Sequence, residues 1–277
     1  CHHQFFHSLI QKKNQKKKIF TDYFDGKQSL LQLSEKYHLS IKTLRSKLKN
    51  HEVSIPEYEP TDTVIIMDTT YFRRNFGVMV FRDNYGKRNL YWQYVKTEPI
   101  EHYERGIGLL KLRGWKIAGL VCDGRKGIFQ SFRGTPIQMC HFHQQAIIRR
   151  YLTLNPRTPA GRELRELSLQ LKHIDKESWI FVLEHWHQKW QDHLKERTTD
   201  PDTGKWHYTH KRLRSAYKSL KTNTPYLFTC QDYPELCIPN TTNPLEGIFT
   251  ELKTKLRNHA GIKDELKIKL TDHFLAK

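Results

Sequence analysis

Short apolar runs separated by turn residues fill the middle of the chain, a pattern typical of β-strands. The run Val64–Met67 predicts a buried strand that ends at Asp68-Thr69-Thr70, and residues 76–95 predict a β-hairpin. The pattern then continues with a helix (101–112), a strand (117–122), a short helix and a strand (136–140). This order predicts an α/β fold in which a mixed sheet is flanked by helices, with the first part of its core over residues 60–142.

Apolar residues follow helical spacing through most of the next hundred positions, which predicts an all-α insertion over residues 143–239. Trp179, Trp186 and Trp190 recur on one face there, and we interpret that stripe as helical core rather than as a base-stacking surface. A last helix begins near Asn243, so residues 240–277 are expected to return to the core.

A compact helical unit is predicted nearer the start of the chain, over residues 19–53. Two short amphipathic helices are separated by His38-Leu39-Ser40, in which Ser40 is a good N-cap. The second helix is basic, which favours a helix-turn-helix that binds DNA over an ordinary helical hairpin. Its candidate DNA contacts are Lys42, Arg45, Lys47 and Lys49. Residues 54–62 contain two prolines and are predicted to be a linker.

Charge points to the class of partner. Lys and Arg total 47 against 29 Asp and Glu, a formal charge of +18, which attracts polyanions such as nucleic acid. The alternative is a protein that is merely soluble and basic. No apolar run approaches the roughly 20 residues of a membrane span. Five cysteines form an odd, sparse set that does not suggest a disulfide framework, so we expect an intracellular protein.

The first 18 residues form a basic segment that begins at Cys1 without a Met, as in a fragment or a processed product. Cys1-His2-His3 is compatible with the remnant of a zinc ribbon. Zinc is therefore expected only if the remaining ligands lie upstream.

Two aspartates directly follow predicted strands: Asp68 and Asp123. Ligands bind at the carboxyl ends of strands in open α/β sheets, and carboxylates suit Mg²⁺ or Mn²⁺. Each also has a local explanation, since either aspartate can cap a turn. Glu246 has one as well, because Asn243 at the N-cap and Glu246 three residues later form a capping box.

These residues carry a resemblance. The motifs Asp68-Thr69-Thr70, Asp123-Gly124-x-x-Gly127, Cys140-x-x-His143 and Asn243-x-x-Glu246 occur in this order. The chain resembles the DDE transposases of bacterial insertion sequences, specifically the Mutator-type group, over roughly residues 60–277. The resemblance implies a ribonuclease H-like core with a helical insert between the second aspartate and the glutamate.

The resemblance also implies roles for these side chains. Asp68, Asp123 and Glu246 would be the catalytic ligands of two Mg²⁺ (or Mn²⁺) ions, and Cys140, His143 and Asn243 would support them. Cys140 and His143 are too few for a tetrahedral zinc site. Their alternative is local: Cys140 ends a buried strand and His143 forms a hydrogen bond at a helix start.

The implied reaction is hydrolysis of a phosphodiester at the element's end, followed by transfer of the freed 3′-hydroxyl into target DNA. The expected partners are double-stranded DNA at the transposon ends and target, and a second copy of the chain, at the nucleoid in the bacterial cytoplasm. Further candidate phosphate contacts, each equally interpretable as a solvated charge, are Arg125, Lys126, Arg149, Arg150, Lys253, Lys255 and Arg257.

Two other functions remain open from the sequence. One is a ribonuclease H-like nuclease without strand transfer. The other is a helix-turn-helix regulator on an inactive core.

Overall fold

The structure, a computed structural model, describes residues 14–277. The predictions made for Cys1-His2-His3 and the start of the basic segment lie outside these residues. Internal contacts divide the chain into two compact units. The central unit is Pro60–Leu245, and the terminal unit combines the described residues up to Glu59 with Glu246–Lys277.

The central unit contains a five-stranded mixed sheet. Its strands are β1 (Asp62–Arg73), β2 (Phe76–Asp83), β3 (Arg88–Val95), β4 (Lys116–Cys122) and β5 (Ile137–Met139). They lie in the order β3-β2-β1-β4-β5. The first three are antiparallel to one another, whereas β4 and β5 continue the sheet in parallel with β1. Helices α4 (Ile100–Leu112) and α5 (Ile128–Ser131) occupy the two crossovers, so the predicted α/β class and the order of elements are confirmed.

Strand β1 is longer than its apolar run predicts. Pairing with β2 continues to Arg73↔Phe76, whereas pairing with β4 is recorded only up to Ile66↔Val121. Asp68 therefore lies within β1 instead of following it. The apolar run predicts only the part of β1 that is buried on both faces. The polar residues beyond it also form a strand, because they continue to pair with β2.

Helix α4 packs on the sheet at Gly106. A Cβ atom at this position would overlap the ring of Phe81, which is fully buried on β2. The missing side chain thus permits the close approach of helix and strand.

The remainder of the central unit is mainly helical: α6 (His141–Leu152), α7 (Pro159–Leu169), α8 (Lys176–Lys195), α9 (Lys211–Leu227) and α10 (Thr229–Asp232). Trp179 and Trp186 are buried in one hydrophobic core, and Trp190 packs against it, as predicted. One feature was missed. The predicted polar turn near residue 200 connects a small antiparallel hairpin, β6 (Arg197–Thr199) and β7 (Trp206–Tyr208). Strands of three residues are too short to produce a periodic signal.

In the terminal unit, α1 is described over residues 14–24 and precedes α2 (Leu30–Tyr37) and α3 (Ile41–Lys49). Ser40 caps α3 as predicted, since its Oγ accepts the amide of Thr43 at 3.1 Å. The predicted pair of helices and the tight turn between them are present. Helix α11 (Asn243–Arg257) begins in the central unit and continues into this one, and α12 (Asp264–Leu275) follows.

Among residues 14–277, no helix combines the length and apolar character needed to cross a membrane.

Candidate active site

The two candidate aspartates lie just beyond the point where β1 and β4 stop pairing. Ile66 on β1 pairs with Val121 on β4 in parallel. Counting two residues forward on each strand leads to Asp68 and Asp123. Because side chains alternate between faces, both carboxylates project on the face that Ile66 and Val121 share. Asp68 is 9% exposed, and Asp123 is partly exposed just beyond the end of β4.

Asp123 also organises the turn that follows β4. Its Oδ1 accepts the amide of Arg125 at 3.0 Å, so the local interpretation as a turn residue is correct. Gly124 and Gly127 both adopt positive φ, +77° and +98°, which glycine tolerates without strain. The turn thereby holds the Asp123 carboxylate at the edge of the sheet.

Cys140 ends β5 and precedes α6. Its amide donates to the carbonyl of Cys122 at 2.8 Å, and its fully buried Sγ accepts from the amide and the hydroxyl of Thr242, at 3.3 and 3.5 Å. Burial raises the pKa of this thiol, but hydrogen bonds from His143 and Thr242 outweigh that effect and lower the pKa below its ordinary value. Cys140 therefore joins the strand end to the residue just before α11.

His143 lies in the first turn of α6, with a ring nitrogen within 4.8 Å of an Asp68 carboxylate oxygen. Burial lowers the pKa of His143. The hydrogen bond with Cys140 and the charges of Cys140, Asp68 and Asp123 reverse this and raise the pKa to about 9. The surroundings of this ring thus carry negative potential, which favours a cation. By contrast, His141 places Nε2 2.6 Å from the carbonyl of Leu227.

Glu246 occupies the first turn of α11 and is partly buried. The helix begins at Asn243, where its start was predicted, and Thr242 directly precedes it. The capping box of Asn243 and Glu246 stays a prediction. Asn243 itself is exposed in the central unit, and the contact pattern assigns Glu246 to the terminal unit.

The predicted DNA contacts fall into three groups: those in ion pairs, those that are partly buried, and the remaining ones, which are exposed. Three make ion pairs within the protein: Lys49 with Glu265 at 3.4 Å, Arg125 with Glu98 at 3.0 Å, and Lys255 with Asp25 at 3.4 Å. Lys47 and Lys253 are partly buried. The exposed members are Lys42, Arg45, Lys126, Arg149, Arg150 and Arg257.

A basic cleft of about 740 Å³ was not predicted from the sequence. It lies where α7 and α9 begin, and Arg157, Lys211 and Arg212 contribute to its lining. The adjacent basic residues Lys211 and Arg212 are visible in the sequence. Nothing in the sequence places them beside Arg157, which lies 54 positions before Lys211.

The donor set suits the ions that the resemblance implies. Asp68 and Asp123 supply hard carboxylate oxygens, which Mg²⁺ and Mn²⁺ prefer, and they share one face of the sheet edge. Cys140 and the same two carboxylates raise the pKa of His143, and a divalent cation held by the carboxylates would offset part of this negative charge.

Comparison with known proteins adds no relative: no family model matches the chain, and no curated protein or solved structure is significantly similar to it.

Proposed function

We propose that this protein is a DNA transposase of an insertion sequence, which hydrolyses a phosphodiester at the element's end and joins the freed 3′-hydroxyl to target DNA. The observation that carries the proposal is the register of β1 and β4, whose last pair, Ile66↔Val121, lies two residues before Asp68 and Asp123, where the parallel pairing ends. Ligand sites of open α/β sheets lie at the carboxyl ends of strands.

The same proposal includes a ribonuclease H-like identity for the mixed sheet and a DNA-binding role for α2 and α3. The order of elements supports the first, since three antiparallel strands precede a helix, a strand, a helix and a strand. Exposed Lys42 and Arg45 on α3 support the second.

In this proposal Asp68, Asp123 and Glu246 would hold two Mg²⁺ or Mn²⁺ ions, which would activate the attacking oxygen and stabilise the leaving oxygen. The chain's own residues orient these ligands. The turn at Gly124 holds Asp123, and the bond from Thr242 to Cys140 fixes the start of the helix that carries Glu246. The raised pKa of His143 favours its protonated form, whose charge would balance the carboxylate of Asp68.

The DNA would be held by positive surface. Arg149 and Arg150 at the end of α6 are exposed, and the cleft with Arg157, Lys211 and Arg212 adds three cations in the helical region of the central unit. Such contacts to phosphates position a duplex without reading its sequence.

The test is cleavage of supercoiled plasmid DNA by the purified chain in Mn²⁺, compared with EDTA. Asp68→Asn and Asp123→Asn should lower the cleavage rate by about 10²-fold or more, because each removes charge that stabilises the transition state. Asp62→Asn is the matched control, since this exposed carboxylate lies on the same strand and pairs with the surface residue Lys116, at 3.7 Å. Equal loss in all three variants would contradict the proposal.

Joining separates the alternatives. A transposase should covalently join a labelled oligonucleotide with a free 3′-hydroxyl to the plasmid. Cleavage without joining would favour a nuclease. DNA binding that persists in EDTA, with no metal-dependent cleavage, would favour the regulator.

A further inference from the structure

Three potential metal ligands meet beside the small hairpin of the central unit. His193 lies in the last turn of α8, Glu196 follows that helix, and His210 precedes α9. His193 Nδ1 lies 3.1 Å from Glu196 Oε1, and His210 Nε2 lies 2.8 Å from Glu196 Oε2. We call these three residues the hairpin triad.

The hairpin itself brings the triad together. Arg197, which follows Glu196, pairs with Tyr208, which lies two residues before His210. The amide of Thr209 donates to the carbonyl of Glu196 at 2.9 Å, and the two imidazole rings stack with centroids 3.7 Å apart. Residues that are 14 positions apart in the sequence therefore share one end of the hairpin.

We propose that the hairpin triad binds a transition-metal ion of the zinc class. One donor atom from each residue lies within 4.8 Å of the other two. Tetrahedral zinc, with bonds of about 2.0–2.2 Å to such donors, needs ligand atoms roughly 3.3 Å apart, so the donor spacing is suitable, and the two stacked rings must turn until both nitrogens face one point. Two imidazole nitrogens and one carboxylate oxygen are an established zinc donor set that leaves a fourth position open.

Basic side chains surround the triad at Lys195, Arg197, Lys211 and Arg214, and three of these four contact other groups, Arg197 lying over the Trp206 ring at 4.0 Å. Lys195 pairs with Asp192 at 3.2 Å. The guanidinium of Arg214 lies over the Tyr208 ring at 3.6 Å and donates to the carbonyl of Leu194. Hydrogen bonds from His210 and His193 lower the pKa of Glu196.

Access is open as well, because the Glu196 side chain is 53% exposed. A bound ion would tie together the end of α8, the hairpin and the start of α9. This role is separate from DNA cleavage at Asp68 and Asp123, and it does not depend on the proposed function.

The experiment measures the zinc content of the full chain after removal of metal with EDTA, equilibrium dialysis against ZnCl₂ and elemental analysis. The wild type should retain one equivalent more than His210→Ala or Glu196→Gln. His207→Ala is the matched control, because this histidine lies on β7 of the same hairpin but outside the triad. Zinc bound elsewhere on the chain contributes equally to every variant, so it does not affect the differences between them. Asp68→Asn should retain as much zinc as the wild type.

Two further measurements show whether a loss of zinc comes from the loss of a ligand or from misfolding of the variant. Glu196→Gln keeps a side chain that forms hydrogen bonds with both histidines, so its circular dichroism should match the wild type. Added Zn²⁺ should raise the melting temperature of the wild type in proportion to the logarithm of its concentration, and have less effect on Glu196→Gln. Equal zinc content in the wild type, His210→Ala and Glu196→Gln would overturn the proposal, as would an equal loss in His207→Ala.

Discussion

Thr242 donates two hydrogen bonds to the sulfur of Cys140, one from its amide at 3.3 Å and one from its hydroxyl at 3.5 Å. The sulfur is fully buried, so water cannot replace it as an acceptor. The two residues are 102 positions apart, and their contact joins the end of β5 to the start of α11.

Cys140→Ala should therefore destabilise the protein by about 1–3 kcal/mol, because it leaves a buried amide and hydroxyl without their acceptor. Cys140→Ser keeps an acceptor and should lose less. Urea unfolding followed by tryptophan fluorescence measures both. Cys237→Ser, at an exposed cysteine, is the control and should match the wild type. A Cys140→Ala protein as stable as the wild type would show that the contact contributes little.

Gly124 follows Asp123 with φ at +77°, and a Cβ there would lie 2.6 Å from the Sδ of buried Met139. Gly134 also has positive φ, +86°, but a Cβ at that position meets nothing within 4 Å. Gly134→Ala should cost only the backbone strain of about 1–2 kcal/mol. Gly124→Ala should cost roughly 1 kcal/mol more through overpacking, and should also reduce Mn²⁺-dependent DNA cleavage by moving Asp123. Equal effects of the two substitutions on stability and cleavage would refute this account.

Two glycines on α4 offer a second matched pair. Gly108→Ala meets open space and should stabilise the protein by about 0.5–1 kcal/mol, the helix preference of alanine over glycine. In Gly106→Ala the added methyl group overlaps the Phe81 ring, and the substitution should destabilise the protein by about 1–3 kcal/mol. Urea midpoints that move in opposite directions would confirm the packing of α4 on β2. A stabilising Gly106→Ala would contradict it.

Most of the sheet could be predicted from the sequence, because apolar runs such as Val64–Met67 are bounded by clear turn residues. The convergence of site residues could be predicted only in part. Strand ends indicated Asp68 and Asp123, whereas the position of His143 beside Asp68 depends on how α6 leaves β5. No local pattern encodes that angle. The hairpin triad was not predicted for the same reason. Contacts between residues far apart in the sequence bring its side chains together, and local propensity does not reveal them.

The terminal unit should lose stability in acid through Asp25. Burial alone would raise the pKa of this carboxyl, but hydrogen bonds from Lys277 and His273 lower it below its ordinary value. A lowered folded pKa gives stability that is fully present above the unfolded pKa, about 3.9, and is lost as the pH falls below it.

Asp25→Asn should thus be less stable than the wild type at pH 7, and the difference should shrink progressively below about pH 4. Chemical unfolding across this range measures it. Glu52→Gln, at an exposed carboxylate of the same unit, should show no such trend. If the difference in unfolding free energy between Asp25→Asn and the wild type stays constant with pH, the contacts of Asp25 with Lys277 and His273 are not its source.

DNA binding by α3 can be separated from the general attraction of a basic protein. Arg45 is exposed on α3, whereas Lys36 on α2 pairs with Asp22 at 2.7 Å. Either residue replaced by Ala removes one positive charge, so long-range attraction falls equally. If Arg45 contacts a phosphate, Arg45→Ala should also lower the slope of log affinity against log salt by about 0.9, the value for one lost contact.

Fluorescence anisotropy with a labelled duplex of mixed sequence, titrated at several salt concentrations, measures these slopes. Lys42→Ala should behave like Arg45→Ala, and Lys36→Ala should keep the slope of the wild type. Metal is left out of the buffer, so failure of the cleavage proposal would not affect the result. Identical slopes for Arg45→Ala and Lys36→Ala would mean that α3 does not lie against the DNA backbone, and its basic residues would then serve only as solvated charge.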